Sequence, residues 1–284
     1  MLTLAIQKSG RLSDSTRALL RDCGIQFQNG SSPKLKTRAT NFPLQILFLR
    51  DDDIPECVAD GVADAGIVGE NICAEKEKSV QIVEKLGFAR CRLSIAVPRE
   101  FDYAGPHDLN GLNIATSYPV VLRRFLQSKA IEASIREISG SVEVVPGIGW
   151  ADAIFDIVST GSTLVSNGLK EVHTVMESEA VFIAGTAPEA EKQALIDKLL
   201  FRIRAVRKAS AYRYILLNSP NAALEHITAI LPGMKSPTVM PLAMEGWSSV
   251  HTVIREDDFW EIIEELKLAG AEGILVLPIE KMID

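Results

Sequence analysis

Short apolar runs alternate with segments of helical periodicity along roughly the first two-thirds of the chain. Apolar runs of this length, bounded by turn residues, are typical of strands, and the segments between them have the spacing of crossover helices. The predicted strands are Leu2–Ile6, Leu44–Leu49, Ala65–Val68, Leu93–Val97, Leu112–Thr116 and Val142–Val145. The predicted helices are Ser13–Leu20 with Ser/Asp caps, Asp53–Asp60 ending at Gly61, Pro119–Lys129, Trp150–Phe155 and Glu189–Ala209. This alternation predicts an α/β fold with a parallel or mixed sheet.

The last 75 or so residues follow a different order, strand–helix–strand–strand–helix–strand. These elements are Tyr212–Leu217, Ala222–Ile230, Thr238–Leu242, Val250–Ile254, Phe259–Leu268 and Ile274–Leu277, with a turn at Glu245-Gly246. The βαββαβ order predicts a ferredoxin-like module with both helices on one face of an antiparallel sheet. We expect Asp257 or Asp258 to cap the second helix and Gly270 to end it in a left-handed conformation. The tail contains no acid–base pair or nucleophile, so it suits regulation, or an assembly role alone.

Composition narrows the class of protein. The chain has 284 residues, of which 47% are hydrophobic and 24% charged, as in a globular protein of two or three domains. The net charge of −7 makes nucleic acid a poor partner. Four scattered cysteines without a C-x-x-C pair predict free thiols in a reducing compartment. No export signal and no membrane span are evident, and we expect a cytoplasmic location.

The most informative segment is Asp156-Ile-Val-Ser-Thr-Gly-Ser-Thr-Leu164. A strand ends in a carboxylate and two apolar residues, and a loop of hydroxyl residues and Gly161 follows. Such a loop presents successive main-chain N–H groups that cradle a phosphate, while Asp156 can accept hydrogen bonds from ribose hydroxyls. An ordinary polar turn before a helix has the same composition, so the pattern alone leaves both interpretations open.

Further motifs occur with this loop in a fixed order. They are Ile6–Leu12 (IQKSGRL), Asp60–Gly69 (DGVADAGIVG) and Ile114–Pro119 (IATSYP). Together with residues 156–163 the set resembles the ATP phosphoribosyltransferase family. The tail motifs Leu231–Thr238 (LPGMKSPT) and Ile274–Lys281 (ILVLPIEK) resemble the long form of that family, which carries a C-terminal histidine-sensing domain. The similarity extends from about residue 2 to residue 283.

The resemblance implies a catalytic body of two lobes, similar to a type II periplasmic binding protein, with the active site in the cleft between them. The lobes would comprise residues 1–92 with 178–206 and residues 93–177. Residues 207–284 would form a ferredoxin-like, ACT-like regulatory domain. The chain would act as a homo-oligomer, between dimer and hexamer.

The resemblance also implies the reaction. The family joins N1 of the adenine of ATP to C1 of phosphoribosyl pyrophosphate, the first step of histidine biosynthesis, with release of pyrophosphate and inhibition by histidine. It requires Mg²⁺, which we expect phosphoribosyl pyrophosphate to carry. Positioning and charge stabilisation would dominate the catalysis, and no general base is needed because N1 is unprotonated at neutral pH.

The family match assigns site residues in three groups. The phosphoribosyl pyrophosphate group is Asp156, Ser159, Thr160, Gly161, Ser162 and Thr163, with Glu143 either a second carboxylate near the ribose or metal or a solvated side chain. The ATP group is Lys8, Arg11, Arg50, Gly69, Glu70, Arg92, Thr116 and Tyr118. The histidine group is Asn218, Ser236 and Thr238. Asp156, Lys8 and Arg11 are the expected catalytic residues, and the triplet Asp51–Asp53 is expected to begin a helix rather than to bind magnesium.

Two other classes share this predicted architecture. Prephenate dehydratase also has a binding-protein-like body and a ferredoxin-like tail, but a dicarboxylate substrate does not require the phosphate loop. A solute-binding or effector-sensing protein is the non-enzyme alternative, and the sequence provides neither an export signal nor an N-terminal DNA-binding helix pair for it.

Overall fold

The computed structural model describes residues 1–27, 35–231 and 233–283. The chain forms two compact units, an N-terminal unit of Met1–Arg21 with Ile25–Asp197 and a C-terminal unit of Asp22–Gly24 with Lys198–Asp284. Pro232 of the LPGMKSPT motif lies outside the described residues.

The N-terminal unit is built from strands and helices that alternate along most of its length. Its described strands are β1 (Leu2–Gln7), β2 (Lys36–Arg38), β3 (Leu44–Leu49), β4 (Ala65–Gly69), β5 (Val80–Lys85), β6 (Cys91–Pro98), β7 (Asn113–Thr116), β8 (Ser134–Glu137), β9 (Ala153–Val158), β10 (Leu169–Ser178) and β11 (Ala180–Gly185). Its described helices are α1 (Arg11–Asp22), α2 (Ile54–Ala59), α3 (Glu70–Lys76), α4 (Pro119–Ser128), α5 (Ser162–Ser166) and the first part of α6 (Ala190–Ser210). Single 3-10 turns occur at Asp51–Asp53, Pro106–Leu109, Val142–Val144 and Pro146–Ile148.

These strands form two sheets with the same internal plan. The first sheet has the order β2-β3-β1-β4-β11-β5 and the second has the order β10-β6-β9-β7-β8. In the first, β1 lies parallel between β3 and β4, and β11 adds antiparallel to β4. In the second, β7 lies parallel between β8 and β9, and β6 adds antiparallel to β9. The chain leaves the first sheet after β5 and returns to it at β11, which confirms the predicted two-lobed, binding-protein-like body.

The second sheet is covered on both faces, and this explains its apolar strands. Leu93, Ile95 and Phe155 are fully buried in one core cluster. Ile154 and Val158 point to the opposite face and are buried in another. The side chains of Ala153, Ile154 and Phe155 therefore alternate between two cores, and the apolar run of β9 is interrupted by Asp156.

Two predicted elements in this region are wrong. Val142–Val145 is not a strand, because Val142 and Val145 are buried three residues apart while Val144 is 45% exposed, which is the spacing of a 3-10 turn. Trp150–Phe155 is not a helix, because from Ala153 onward it forms β9. Five strands, β2, β5, β8, β10 and β11, were absent from the prediction.

The N-terminal ends of two helices also differ from expectation. Helix α1 begins at Arg11, so Ser13 and Asp14 lie inside it rather than capping it. The second helix of the tail begins at Glu256, with Arg255 at its N-cap and no side-chain cap. Asp257 and Asp258 are therefore residues of its first turn, and the predicted cap is wrong. The triplet Asp51–Asp53 does form the turn that leads into α2, as predicted.

The C-terminal unit has the predicted ferredoxin-like topology. Its described elements after α6 are β12 (Tyr212–Pro220), α7 (Leu224–Ile230), β13 (Thr238–Pro241), β14 (Trp247–Arg255), α8 (Glu256–Leu268) and β15 (Glu272–Pro278). The sheet is antiparallel with the order β13-β14-β12-β15. Ile215 and Leu217 of β12 share one core with Ile227 of α7 and Phe259 of α8, so both helices cover the same face. Gly270 ends α8 with a φ of +91°, as predicted.

None of the helices in the described residues is both long and apolar enough to cross a membrane. The four cysteines are free thiols.

Candidate active site

A cavity of about 310 Å³ lies at the end of β9 in the N-terminal unit. It brings together most of the residues predicted for phosphoribosyl pyrophosphate. Its lining consists of Arg11, Glu143, Ile154, Asp156, Ile157, Val158, Ser159, Thr160, Gly161, Ser162, Thr163 and Leu164. One expected catalytic cation, one expected second carboxylate and the whole loop therefore share a single pocket.

The loop exposes main-chain donors that have no partner. Gly161 has a φ of +79°, a left-handed conformation that glycine adopts without strain, and it turns the chain into α5. Within the described part of the chain, no acceptor lies within hydrogen-bond distance of the N–H groups of Thr160, Gly161 or Thr163. The Thr160 and Ser162 hydroxyls bond to one another at 3.0 Å. The result is a pocket of free amides and hydroxyls, which is suited to an anion.

Asp156 carries the main negative charge of the pocket. It is half-buried on β9, and no described cation forms an ion pair with it. Burial is the main reason that the pKa of Asp156 is raised to about 6, and the nearby Glu143 carboxylate raises it further against the opposing bond from the Ile157 N–H. An ionised carboxylate left without a partner in this way can accept hydrogen bonds from ligand hydroxyls.

Glu143 and Arg11 reach the pocket from other elements. Glu143 is half-buried in the 3-10 turn Val142–Val144, so its role as a lining residue is consistent with the expected second carboxylate. Arg11 is the first residue of α1 and is exposed. It brings a positive charge from α1, the helix after β1, to a pocket otherwise lined by Glu143, β9 and the loop after β9.

Lys8 and Arg50 lie outside this pocket. Lys8 follows β1 and Arg50 follows β3, and both side chains are exposed. The Lys8 N–H donates to the Leu49 carbonyl at 2.8 Å, so the ends of the two parallel strands lie side by side. The two cations are thus at the carboxyl edge of the first sheet, where α/β proteins bind ligands.

Gly69 and Glu70 occupy the end of β4 on the same sheet. A Cβ atom on Gly69 would lie 2.3 Å from Asn71 Oδ1, so close packing requires glycine there. The Glu70 carboxylate is bonded to Lys85 Nζ at 2.8 Å. Gly69 therefore has a clear packing role, and Glu70 already has a cationic partner.

Thr116 is the last residue of β7, and Tyr118 follows that strand and contacts helix α3. The Thr116 hydroxyl accepts the Tyr118 N–H at 2.8 Å. The Tyr118 hydroxyl accepts a hydrogen bond from Asn71 Nδ2 at 3.1 Å, and Asn71 Oδ1 accepts one from Ser178 at 2.9 Å. Burial first, and then Asp156, raise the pKa of Tyr118, which keeps the phenol neutral.

Sequence reasoning missed Glu75, a buried residue that joins α3 to α4. Its carboxylate accepts the N–H groups of Val120 and Val121 at distances of 3.0 to 3.1 Å. These partners are about 45 residues apart in the chain, and no local pattern indicates them.

Arg92 was expected on the ATP side, but its guanidinium has other partners. It bonds to both carboxylate oxygens of Glu171 and to the main-chain carbonyl of Ser159, the first residue of the loop. Arg92 therefore contacts the loop that was predicted for phosphoribosyl pyrophosphate, although it does not line the cavity.

The residues predicted for histidine lie on the C-terminal sheet and its connections. Asn218 of β12 pairs with Ser249, and Thr238 of β13 pairs with His251, while Ser236 is an exposed residue before β13. His251 was not predicted to have a role. It bonds to the Tyr214 hydroxyl at 2.8 Å and to the Ser249 hydroxyl at 3.0 Å.

Comparison with known proteins gives two family matches in chain order. The family model for ATP phosphoribosyltransferase matches residues 50–205, and that for the C-terminal domain of the same family matches residues 209–281. The first covers more than half of the chain.

Two individual relatives with this enzyme's name align with the full length of the chain. ATP phosphoribosyltransferase of Cytophaga hutchinsonii is 59% identical over 283 residues, covering 100% of this chain and 99% of that protein. The enzyme of the same name from Bacteroides thetaiotaomicron is 57% identical and is covered completely. A chain from the solved ATP phosphoribosyl transferase (HisG:HisZ) complex of Thermotoga maritima aligns with a TM-score of 0.61 and 28% identity, over 72% of this chain and 99% of its own length.

Proposed function

The chain belongs to the ATP phosphoribosyltransferase family, and from that membership we propose that it joins N1 of the adenine of ATP to C1 of phosphoribosyl pyrophosphate. Phosphoribosyl-ATP and pyrophosphate are the products, at the first step of histidine biosynthesis. Full-length relatives at 57–59% identity bear the name of this enzyme, which favours it over prephenate dehydratase and over a solute-binding protein.

The observation that carries the proposal is the set of unpartnered donors in the loop after β9. The N–H groups of Thr160, Gly161 and Thr163 bind the 5′-phosphate, together with the hydroxyls of Ser159 and Ser162. These loop residues are exposed except for the half-buried Gly161, so in the free protein water can hydrate the N–H groups. An anion that replaces this water meets several converging main-chain donors at once, and this convergence supports a phosphate as the ligand.

Asp156 holds the ribose next to that phosphate. Its carboxylate accepts hydrogen bonds from the ribose hydroxyls and lies beside the carbon at which displacement occurs. Its raised pKa reflects a desolvated charge without a cation, and ligand hydroxyls relieve that cost.

Magnesium enters the proposal as part of the substrate, magnesium phosphoribosyl pyrophosphate. Within the described residues there is no group of three or more His, Cys, Asp or Glu side chains that could hold a metal alone. Mg²⁺ in such sites is usually bound by one or two carboxylates together with substrate phosphates, and Asp156 with Glu143 fits that donor set. When bound, the ion neutralises oxygens of the pyrophosphate leaving group.

The cations at the carboxyl edge of the first sheet complete the charge stabilisation. Arg11 faces the pocket and contacts the pyrophosphate as negative charge develops on it. Lys8 and Arg50 bind the triphosphate of ATP. The protein contributes orientation and electrostatics, since N1 of adenine is already a free nucleophile at neutral pH.

The adenine lies near the ends of β4 and β7. Gly69 gives the base close access to the backbone, and Glu70, Thr116 and Tyr118 surround that position. The Tyr118 phenol stays neutral and is held by Asn71, so it offers a fixed hydroxyl to the base.

We assign residues 1–92 with 178–206 and residues 93–177 to the two catalytic lobes, and residues 207–284 to a regulatory domain that binds histidine through Asn218, Ser236 and Thr238. The ferredoxin-like topology of the C-terminal unit supports this assignment. The chain assembles as a homo-oligomer, and histidine lowers its activity through a coupling free energy of about 1–3 kcal/mol between the two sites.

The direct test of activity mixes the purified protein with ATP, phosphoribosyl pyrophosphate and magnesium. We expect an ultraviolet absorbance change from N1-alkylated adenine that requires all three components. Failure to form this product, with the protein folded, would refute the proposed reaction.

A further inference from the structure

The side chain of Arg92 connects three parts of the second sheet. Its Nε and Nη2 atoms each lie 2.5 Å from one oxygen of the Glu171 carboxylate. Its Nη1 atom lies 3.1 Å from the main-chain carbonyl oxygen of Ser159. The residues belong to β6, to β10 and to the loop after β9.

A short polar network surrounds this contact. The Thr174 hydroxyl lies 3.4 Å from the Glu171 carboxylate, and the buried Ser94 hydroxyl lies 3.3 Å from Thr174. In the ladder between β6 and β9, Arg92 lies opposite Val158 and Ser94 opposite Asp156. The network therefore runs along the strand that directly neighbours the proposed ribose carboxylate.

The geometry of the pair restricts the guanidinium. An Arg–carboxylate pair with two parallel hydrogen bonds fixes the plane of the guanidinium, which a single contact does not. The third donor of Arg92 is therefore aimed in a fixed direction, toward Ser159.

The carbonyl that Arg92 holds determines where a loop donor points. The C=O of Ser159 and the N–H of Thr160 belong to one planar trans peptide and point in opposite directions. A hydrogen bond that holds the carbonyl toward Arg92 turns the Thr160 N–H away from it, and that N–H has no acceptor within the described residues.

We infer that Arg92, oriented by Glu171, is a positioning residue for phosphoribosyl pyrophosphate. It fixes the Ser159–Thr160 peptide so that the Thr160 N–H faces the 5′-phosphate. The inference rests on the proposed function and replaces the expectation that Arg92 binds ATP. Arg92 acts through the loop and does not touch the substrate.

The chain contains a matched control for this interaction. Arg213 of the C-terminal unit also combines a Glu partner, Glu256, with main-chain carbonyls, those of Ser210 at 3.0 Å and Tyr212 at 2.8 Å. It joins β12 to α8 and contacts no residue that we assign to a substrate. Loss of Arg213 therefore reproduces the loss of an Arg–Glu pair without the loop contact.

The experiment compares steady-state kinetics of the wild type, Arg92→Met, Glu171→Gln and Arg213→Met, with each substrate varied in turn. We expect Arg92→Met to raise the KM for phosphoribosyl pyrophosphate about tenfold, because one misaligned donor weakens binding and orientation together. Glu171→Gln should raise it less, since the amide retains one acceptor for Arg92. The KM for ATP should stay within about twofold of the wild-type value in Arg92→Met and in Glu171→Gln. Arg213→Met should leave the KM values for both substrates unchanged.

Two further measurements distinguish a positioning role of Arg92 from a purely structural one. Calorimetric titration with magnesium phosphoribosyl pyrophosphate should show the same loss of affinity, and Arg92→Lys should recover part of it. Equal rises in both KM values, or unchanged KM values in Arg92→Met and Glu171→Gln, would overturn the inference while the wild type still forms product. If the wild type itself neither binds phosphoribosyl pyrophosphate nor forms product, the proposed function fails first.

Discussion

The pocket after β9 and the candidate histidine residues of the C-terminal sheet differ in how their polar groups are satisfied. In the pocket, a half-buried carboxylate without a cation lies beside main-chain N–H groups without acceptors. On the C-terminal sheet, Ser236 and Thr238 are exposed to solvent, and the neighbouring His251 already bonds at both ring nitrogens. Main-chain donors without protein acceptors that converge on one cavity favour an anionic ligand by their own geometry. The histidine assignment depends on the family motif.

The largest effect should follow removal of the carboxylate from the pocket. Asp156→Ala eliminates the proposed acceptor for the ribose hydroxyls, so kcat/KM for phosphoribosyl pyrophosphate should fall by about 100-fold or more. The affinity for ATP measured by calorimetry should change little. Glu132→Gln, an exposed carboxylate in the same lobe, is the control. Unchanged kinetics in Asp156→Ala would remove this residue from the site.

Histidine inhibition tests the other side of the comparison. Replacing Asn218 by Ala and Thr238 by Val should raise the histidine concentration for half-inhibition by about tenfold or more, because each removes a hydrogen bond that we propose to the effector. Thr228→Ala is the matched control, since its hydroxyl bonds to its own helix at the Leu224 carbonyl. Equal inhibition in all variants would move the effector site away from these strands.

A smaller effect should come from the turn that shapes the loop. Gly161→Ala places a side chain at a φ of +79°, which costs about 1–2 kcal/mol and shifts the neighbouring N–H groups. The KM for phosphoribosyl pyrophosphate should rise several-fold. Gly147→Ala is the comparison, because an added Cβ there meets open space without a left-handed φ. If both variants behave like the wild type, the loop does not depend on its backbone conformation.

The smallest effect concerns stability and pH. Because the folded-state pKa of Asp156 is about 6 and the ordinary pKa of an Asp side chain is 3.8, this group destabilises the folded protein as pH rises between those values. Asp156→Asn should therefore raise the free energy of unfolding by about 1 kcal/mol near pH 8 and by almost nothing near pH 4, a figure reduced for solvent screening of a half-buried group. Denaturant unfolding at both pH values measures the difference. An equal change at both would show that the carboxylate is not desolvated.

The fold could be predicted where a segment showed one clear pattern of hydrophobic and polar residues. The apolar runs of β1, β3 and β4 and the βαββαβ order of the tail follow directly from the sequence. Strand β10 was missed because most of its residues are only half-buried and several are charged, so neither strict alternation nor a continuous apolar run marks it. The 3-10 turn at Val142–Val144 was mistaken for a strand because β-branched valines favour extended structure, and tertiary burial overrides that preference here.

The residues of the candidate site could be predicted from the sequence, but the contacts between distant residues that hold them could not. Asp156 and residues 159–163 are adjacent in sequence, so their convergence needed only one strand and one turn. The partners of Arg92 lie 79 residues away at Glu171 and 67 residues away at Ser159. They meet Arg92 only because β10 and β9 both pair with β6. Arg92 was assigned to the ATP group from the sequence, which does not reveal its contact with Ser159.

The most direct measurement is a crystal structure of the chain with magnesium phosphoribosyl pyrophosphate bound. We expect the 5′-phosphate oxygens within hydrogen-bond distance of the Thr160, Gly161 and Thr163 N–H groups, with the ribose hydroxyls on the Asp156 carboxylate. A ligand bound elsewhere, with those three N–H groups left without it, would contradict the account.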